Sequence, residues 1–227
     1  MGGGRNLLPG EISLAHNGVL FLDELLEFKK SVLEVLRQPL EDREITISRA
    51  SGSVKYPANF MLVGALNPCP CGFHGSDSKQ CLCSEHERKK YISKLSGPLL
   101  DRIDIFSFVT SLSYKEINEN KKGETSLTIR KRVEHVRDIQ KKRYEQEGIY
   151  CNAQMSEKLL KKYCPLDDKS IKLVEKIYDK YHLSNRAYSR ILKLSRTIAD
   201  LNNREDISYS DVIEAVQYRK FLNENIV

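Results

Sequence analysis

Apolar positions follow two different rhythms along the 227 residues. Val19–Leu22 is a continuous apolar run, which predicts a buried strand of the parallel type. Leu25, Leu26, Val32, Leu33, Val35, Leu36 and Leu40 follow at helical spacing. Residues 43–57 alternate apolar and polar on both sides of Ser51-Gly52-Ser53, the signal of a hairpin. Phe60–Leu66 reads as a second buried strand. Ile105–Val109, after a short helix end, reads as a third. Strands separated by helices argue for an α/β layer.

After Ser111 the rhythm becomes helical throughout. Ser113 and Glu116 have capping-box spacing. Residues 126–148 form a long basic helix expected to stop at Gly148. Shorter helices are expected near 156–163 and 168–181. Residues 185–202 place Ala187, Ile191, Leu194, Ile198 and Leu201 on one stripe, and a last helix starts after Ser208 with Asp211 three residues on. The expected fold class is therefore α/β plus all-α: an α/β piece over residues 1–112 and a helical domain over 113–227.

Composition fits a globular chain with a core, 40% hydrophobic and 30% charged. No apolar run approaches the ~18 residues of a membrane span. The opening MGGGRNLLPGE has no charged-then-apolar targeting pattern and looks like a start inside a larger domain, so a cytoplasmic protein is expected. Basic and acidic side chains balance over residues 1–110, and the net charge of +6 comes from residues 111–227. The commoner meaning of such an excess is a solvated helical surface. The sharper one is a surface that meets a nucleic-acid backbone.

Four of the six cysteines, Cys69, Cys71, Cys81 and Cys83, lie within fifteen positions as C-x-C…C-x-C. The absence of a secretory signal argues against a disulfide framework. Four thiolates suit tetrahedral Zn2+, with His74 and His86 as possible substitutes. The plainer reading is four reduced thiols in a loop. Cys151 and Cys164 stand alone and read as packing residues.

Asp23 and Glu24 end the first apolar run, at the carboxyl edge where open α/β sheets bind ligands. One carboxylate there can hold a magnesium ion and the other can act as a general base on water. An acidic first helical turn explains the pair equally well. Asn67 ends the second run, either to position water or as an Asx-turn before Pro68. Arg102 can reach a neighbour's phosphate or pair with Asp101 or Asp104. Arg186 and Arg190 share a helix face, pointing at phosphates or at water.

Taken in order, GVLFLDEL, FMLVGALNPCPCG, SGPLLDRIDI and LSNRAYSRILKLSRTIADL resemble the motifs of AAA+ ATPases, and specifically the magnesium-chelatase-like ComM/YifB family. RNLLPGEISLAHNG and QPLEDREITISRA extend the resemblance over essentially the whole chain. The resemblance implies a partial P-loop-type AAA+ core followed by a helical lid. It makes Asp23 and Glu24 the Walker B pair, Asn67 sensor 1, Arg102 the arginine finger and Arg186 sensor 2, with Arg190 a weaker candidate for that last role. It further implies ATP and Mg2+ as cofactors and a ring, hexameric in the intact protein. That ring would move on branched DNA during uptake and recombination. In the related helicase clade a hairpin at the position of residues 43–57 projects into the ring pore, so Arg49 and Lys55 become DNA-contact candidates.

The phosphate-loop pattern G-x-x-x-x-G-K-[ST] does not occur in these 227 residues. The resemblance places that loop upstream, so this chain corresponds to a C-terminal portion expected to have negligible ATP hydrolysis alone and an exposed sheet edge. Two other readings remain: a chelatase motor subunit, and a non-catalytic zinc-containing module for DNA binding or assembly.

Overall fold

A computed structural model describes residues 2, 7–49, 52–76, 79–110, 112, 114–118 and 123–225. The chain divides into one unit running to Ile103 and another running from Asp104 to Asn225.

The first unit contains α1 (Glu11–Leu14), β1 (Val19–Leu22), a 3-10 turn (Leu25–Glu27), α2 (Lys30–Val35) and α3 (Arg37–Asp42). It continues with β2 (Glu44–Arg49), β3 (Gly52–Pro57), β4 (Met61–Gly64), α4 (Glu85–Ile92) and α5 (Gly97–Leu100). β1 and β4 pair in parallel, from Val19 opposite Met61 to Leu22 opposite Gly64. Both were expected to be buried runs, and this is corrected. Val19, Phe21 and Met61 are 57%, 59% and 60% exposed. The side-chain period of two puts these residues and Val63 on one face of a two-stranded ribbon. Only the opposite face, with Leu20, Leu22 and Leu62, is half-buried.

The single helix suggested by Leu25–Leu40 is divided in three. Phe28 and Lys29 are extended between the 3-10 turn and α2. α3 restarts at Arg37, because Pro39 has no N–H to offer the Val35 carbonyl. The apolar spacing still defines a core of Leu25, Leu26, Leu33 and Leu36. β2 and β3 form the expected antiparallel hairpin, with Arg49 opposite Gly52 and Glu44 opposite Pro57. Its base is closed by the Ala58 N–H donating to the Arg43 carbonyl at 2.8 Å, and Ile45 and Ile47 supply its buried face. Ser51, part of the expected tip, lies outside the described residues.

The third strand expected at Ile105–Val109 does not form; these residues join no sheet. They belong to the helical unit, which offers a helix instead of a strand edge: the Phe106 N–H donates to the Tyr218 carbonyl at 2.9 Å.

That second unit contains α6 (Tyr114–Asn118), α7 (Ser126–Arg143), a 3-10 turn (Asn152–Gln154), α8 (Glu157–Tyr163), α9 (Asp168–Tyr181), α10 (Asn185–Leu201) and α11 (Tyr209–Asn225). Thr125, Ser156, Asp167 and Ser184 cap α7 to α10, each side chain accepting a backbone N–H of the first turn. Asp211 accepts from the N–H and hydroxyl of Ser208, whereas Ser113 lies outside the described residues.

α7 ends at Arg143, short of Gly148. There Tyr144 turns into the core and donates to Asn152 Oδ1 at 2.6 Å. Of the stripe on α10, Ala187, Ile191 and Ile198 are buried, Leu194 is half-buried and Leu201 is exposed, while Ser195, Arg196 and Asp200 are buried as well. Asp200 accepts from Arg143 at 2.5 and 2.8 Å, from Arg196 Nε at 3.0 Å and from Asn152 Nδ2 at 2.9 Å. No described helix is long and apolar enough to cross a membrane.

Candidate functional site

The parallel register of β1 and β4 carries both acidic residues and Asn67 to the same end of two adjacent strands. The Ala65 N–H donates to the Leu22 carbonyl at 3.0 Å, and the Leu25 N–H donates to the Ala65 carbonyl at 2.8 Å, so the two strand exits are tied together. Asp23 and Glu24 sit in this exit, both exposed, with Asp23 Oδ1 accepting the Glu24 N–H at 2.9 Å. Glu24 has a left-handed backbone, φ 49° and ψ 45°, uncommon for a non-glycine residue. This turn sends the chain sideways into the buried Leu25 and Leu26, leaving two carboxylates at the open edge of the sheet. An exposed carboxylate pair of this kind can hold a hydrated divalent cation and accept a proton from water. Asn67 is exposed just beyond β4.

Arg102 follows α5 in the same unit. Its side chain is only 8% exposed, with Nε 3.0 Å from Glu41 Oε2 of α3 and Nη1 donating to the Pro98 carbonyl at 2.6 Å. On the hairpin, Lys55 donates to Glu44 Oε1 at 2.6 Å, and this bond raises the lysine pKa. The side chain of Arg49 lies outside the described residues. Arg186 and Arg190 belong to the second unit. Arg186 is exposed in the first turn of α10, and Arg190 pairs with Asp104 at 2.5 Å.

The four cysteines converge. Cys69 Sγ lies 3.4 Å from Cys71 Sγ and 3.7 Å from Cys81 Sγ, and Cys71 and Cys81 are 3.6 Å apart. All four sulfurs lie within 4.8 Å of one another. Four sulfurs about 2.3 Å from a tetrahedral zinc lie about 3.8 Å from each other, so the cluster fits the ion. His74 and His86 are not members of the cluster; the His74 backbone N–H, however, donates to Cys69 Sγ at 3.4 Å. The fold builds the cluster from a loop that reverses at Gly72 and Gly75, with φ of 80° and 77°, values that glycine adopts without steric cost. The N–H of Phe73 lowers the Cys71 thiol to about 6, whereas burial raises that of Cys81. Cys164 packs in the core of the second unit, and Cys151 is half-buried.

Three residues of this region were not anticipated: Arg88, Tyr91 and Lys94, on and just after α4. The available signal was Ser84 followed by Glu87, which closes a full capping box. Arg88 Nη1 donates to the Cys83 carbonyl at 2.6 Å, Tyr91 donates to Glu27 Oε1 at 3.1 Å and Lys94 donates to the Leu26 carbonyl at 2.5 Å.

Residues 1–117 match the family described as "Magnesium chelatase, subunit ChlI", and residues 123–219 match "Magnesium chelatase, subunit ChlI C-terminal". The chain is 46% identical over 220 residues to Competence protein ComM of Haemophilus influenzae, covering 96% of this chain and 42% of that protein. It is 39% identical to the uncharacterized protein YifB of Salmonella typhimurium, again over 96% of this chain and 42% of the relative. Similarity to the magnesium-chelatase 38 kDa subunit of Cereibacter sphaeroides is 32% over 60 residues, 26% of this chain and 18% of that subunit. The chain thus spans about two fifths of the length of ComM and YifB.

Proposed function

The chain belongs to the magnesium chelatase ChlI family, with ComM and YifB among its relatives, and on that premise we propose that it is part of a AAA+ ATPase motor. In the intact protein this motor forms a cytoplasmic ring, hexameric by family resemblance, that moves on branched DNA in competence-linked recombination. That reading divides the chain into a partial core over residues 1–112 and a helical lid over 113–227, whereas the unit boundary after Ile103 groups residues 104–112 with the helices. The observation that carries it is the strand pairing that delivers Asp23, Glu24 and Asn67 to one sheet end.

The roles are those that the family resemblance implies. Asp23 would hold the magnesium that accompanies ATP, and Glu24 would take the proton of the attacking water. Magnesium supplies neutralisation of charge on the phosphates. Asn67 orients the same water or the terminal phosphate. Arg102 acts on the nucleotide of a neighbouring subunit, which requires it to exchange Glu41 for phosphate oxygens. Arg186 serves as the lid's sensor, with Arg190, which pairs with Asp104, the weaker candidate by the same resemblance. Without a phosphate loop in these 227 residues, negligible turnover is expected from the chain alone. Cys69, Cys71, Cys81 and Cys83 hold a structural zinc that fixes the loop after Asn67.

A chimera joining the upstream part of Haemophilus influenzae ComM to this chain tests the reading. Glu24→Gln should retain ATP binding and lose hydrolysis by at least about 100-fold. Hydrolysis at the parent rate in E24Q would overturn the assignment. For DNA, Lys55→Glu and Arg49→Glu should each weaken binding to a forked duplex and flatten its salt dependence.

The chelatase-subunit reading is disfavoured, because that similarity covers 26% of the chain against 96% for ComM. The non-catalytic module is the outcome to conclude if the chimera binds DNA and zinc but no ATP.

A further inference from the structure

Helix α4 is fastened at both ends. At its start, Cys83 runs directly into the Ser84 N-cap, and Arg88 Nη1 folds back to the Cys83 carbonyl at 2.6 Å. At its far end, Tyr91 Oη donates to Glu27 Oε1 at 3.1 Å, and Lys94 Nζ donates to the Leu26 carbonyl at 2.5 Å. Leu26 and Glu27 belong to the 3-10 turn that the chain enters through the left-handed Glu24. A further tie on this turn is the Ala65 carbonyl, which accepts the Leu25 N–H and lies just upstream of Cys69. These long-range contacts on the turn come from segments adjoining the four-cysteine cluster, one before Cys69 and one after Cys83.

A left-handed non-glycine residue persists only where its surroundings over-determine it. The local bond from the Glu24 N–H to Asp23 Oδ1 is an exposed contact between adjacent residues and is weak by itself. The two long-range donors span 64 and 68 residues of sequence and act on atoms of the turn directly. Lys94 brings a charged donor to a backbone carbonyl, which makes that bond the stronger kind. Burial and the Glu27 carboxylate raise the Tyr91 phenol to about 12, so it remains a donor at neutral pH.

We propose that Tyr91 and Lys94 are positioning residues that transmit occupancy of the four-cysteine site to the acidic turn, holding Leu25–Glu27 and through them Glu24. The inference rests on the readings of the thiol cluster and of the Asp23–Glu24 pair given above. A metal ion among the sulfurs fixes Cys83, Cys83 fixes the start of α4, and the rigid helix carries that constraint to the turn. Loss of the ion frees the helix start and loosens the clamp on the acidic pair.

Hydrogen exchange on the 227-residue chain, zinc-loaded and chelator-stripped, tests this through the amides of Leu25 and Glu27, which donate to Ala65 and Glu24. Stripping should speed their exchange about tenfold and leave the amides of α10 unchanged. Tyr91→Phe with Lys94→Met should show the fast rate even when zinc-loaded, with zinc content unaltered. Lys94→Arg, which keeps the charged donor, should preserve the slow rate, and Tyr91→Phe alone serves if the double variant misfolds.

Unchanged exchange at Leu25 and Glu27 in a chain that has lost its zinc would overturn the proposal. So would slow exchange in the zinc-loaded double variant, or in Tyr91→Phe where that stands in for it. A chain that takes up no zinc overturns the thiol reading and the transmission together. Failure of the Asp23–Glu24 reading registers separately, as unimpaired turnover of E24Q in the chimera.

Discussion

Nε of Arg102 lies 3.0 Å from Oε2 of Glu41, joining the segment just after α5 to α3 within one unit. The arginine side chain is 8% exposed and the glutamate 40% exposed, so the two ends of the pair are unequal. Truncating the arginine removes packed stem atoms, the bond to the Pro98 carbonyl and the ion pair at once. Neutralising the glutamate keeps the side-chain volume and removes a partly screened charge. Arg102→Ala should therefore destabilise the first unit by about 1–2 kcal/mol, and Glu41→Gln by about 0.5 kcal/mol. Urea denaturation followed by circular dichroism checks the order of the two effects; equal midpoints would refute it.

Asp200 gathers Arg143, Arg196 and Asn152 in the interior of the second unit. Its side chain is fully buried, and Asp200→Ala leaves two guanidinium groups without their shared carboxylate. The expected loss is about 3–5 kcal/mol, enough to unfold this unit while the hairpin unit persists. Loss of most helical circular dichroism at 25 °C is the readout, and native-like helicity would count against the account.

Alkaline pH should weaken the same unit. Burial raises the Cys164 thiol and the Tyr144 phenol to about 12 each. A folded pKa above the unfolded one means that the folded state holds its proton more tightly. The stabilisation is fully present below the unfolded values, near 9 for the thiol and 10 for the phenol, and is lost as pH rises towards 12. Melting temperature measured from pH 8 to 12 should fall across this window. Cys164 should also resist alkylation at pH 8 until the unit unfolds, while the half-buried Cys151 reacts first.

Zinc content gives a direct measure of the thiol cluster. The chain purified with zinc should carry about one ion, and Cys69→Ser or Cys71→Ser should reduce this to near zero. Chelation should lower the melting temperature of the first unit in the parent and not in either variant. An unchanged melting temperature on removal of a measured ion would remove its structural role.

Much of the fold was legible because its signals are local. Val19–Leu22 is a short apolar run between Gly18 and Asp23, Phe60–Leu66 lies between Asn59 and Asn67 with β4 inside it, and the hairpin declares itself through alternation around Gly52. The helices from α8 to α11 begin after Ser156, Asp167, Ser184 and Ser208, residue types that satisfy free N–H groups at helix starts. Ile105–Val109 has the composition of a strand, but a strand requires an edge to pair with, and sequence does not say whether one is near. The helix over Leu25–Leu40 failed for a different reason: apolar spacing survives a break in the backbone, so the right core residues concealed an extended Phe28 and Lys29.

The sequence by itself determined which groups the candidate site contains. Asp23 and Glu24 must follow β1, and four cysteines within fifteen positions can meet with only short loops to close. Tertiary structure alone decided what holds them. Tyr91 reaches Glu27, Lys94 reaches Leu26 and Arg102 reaches Glu41 across long stretches of chain. Contacts of that span carry no local pattern, because they depend on how α4 and α5 pack against residues far upstream. Asp200 illustrates the same limit: its charge would suggest a solvated helix face, and only the packed bundle brings Arg143 and Arg196 to it.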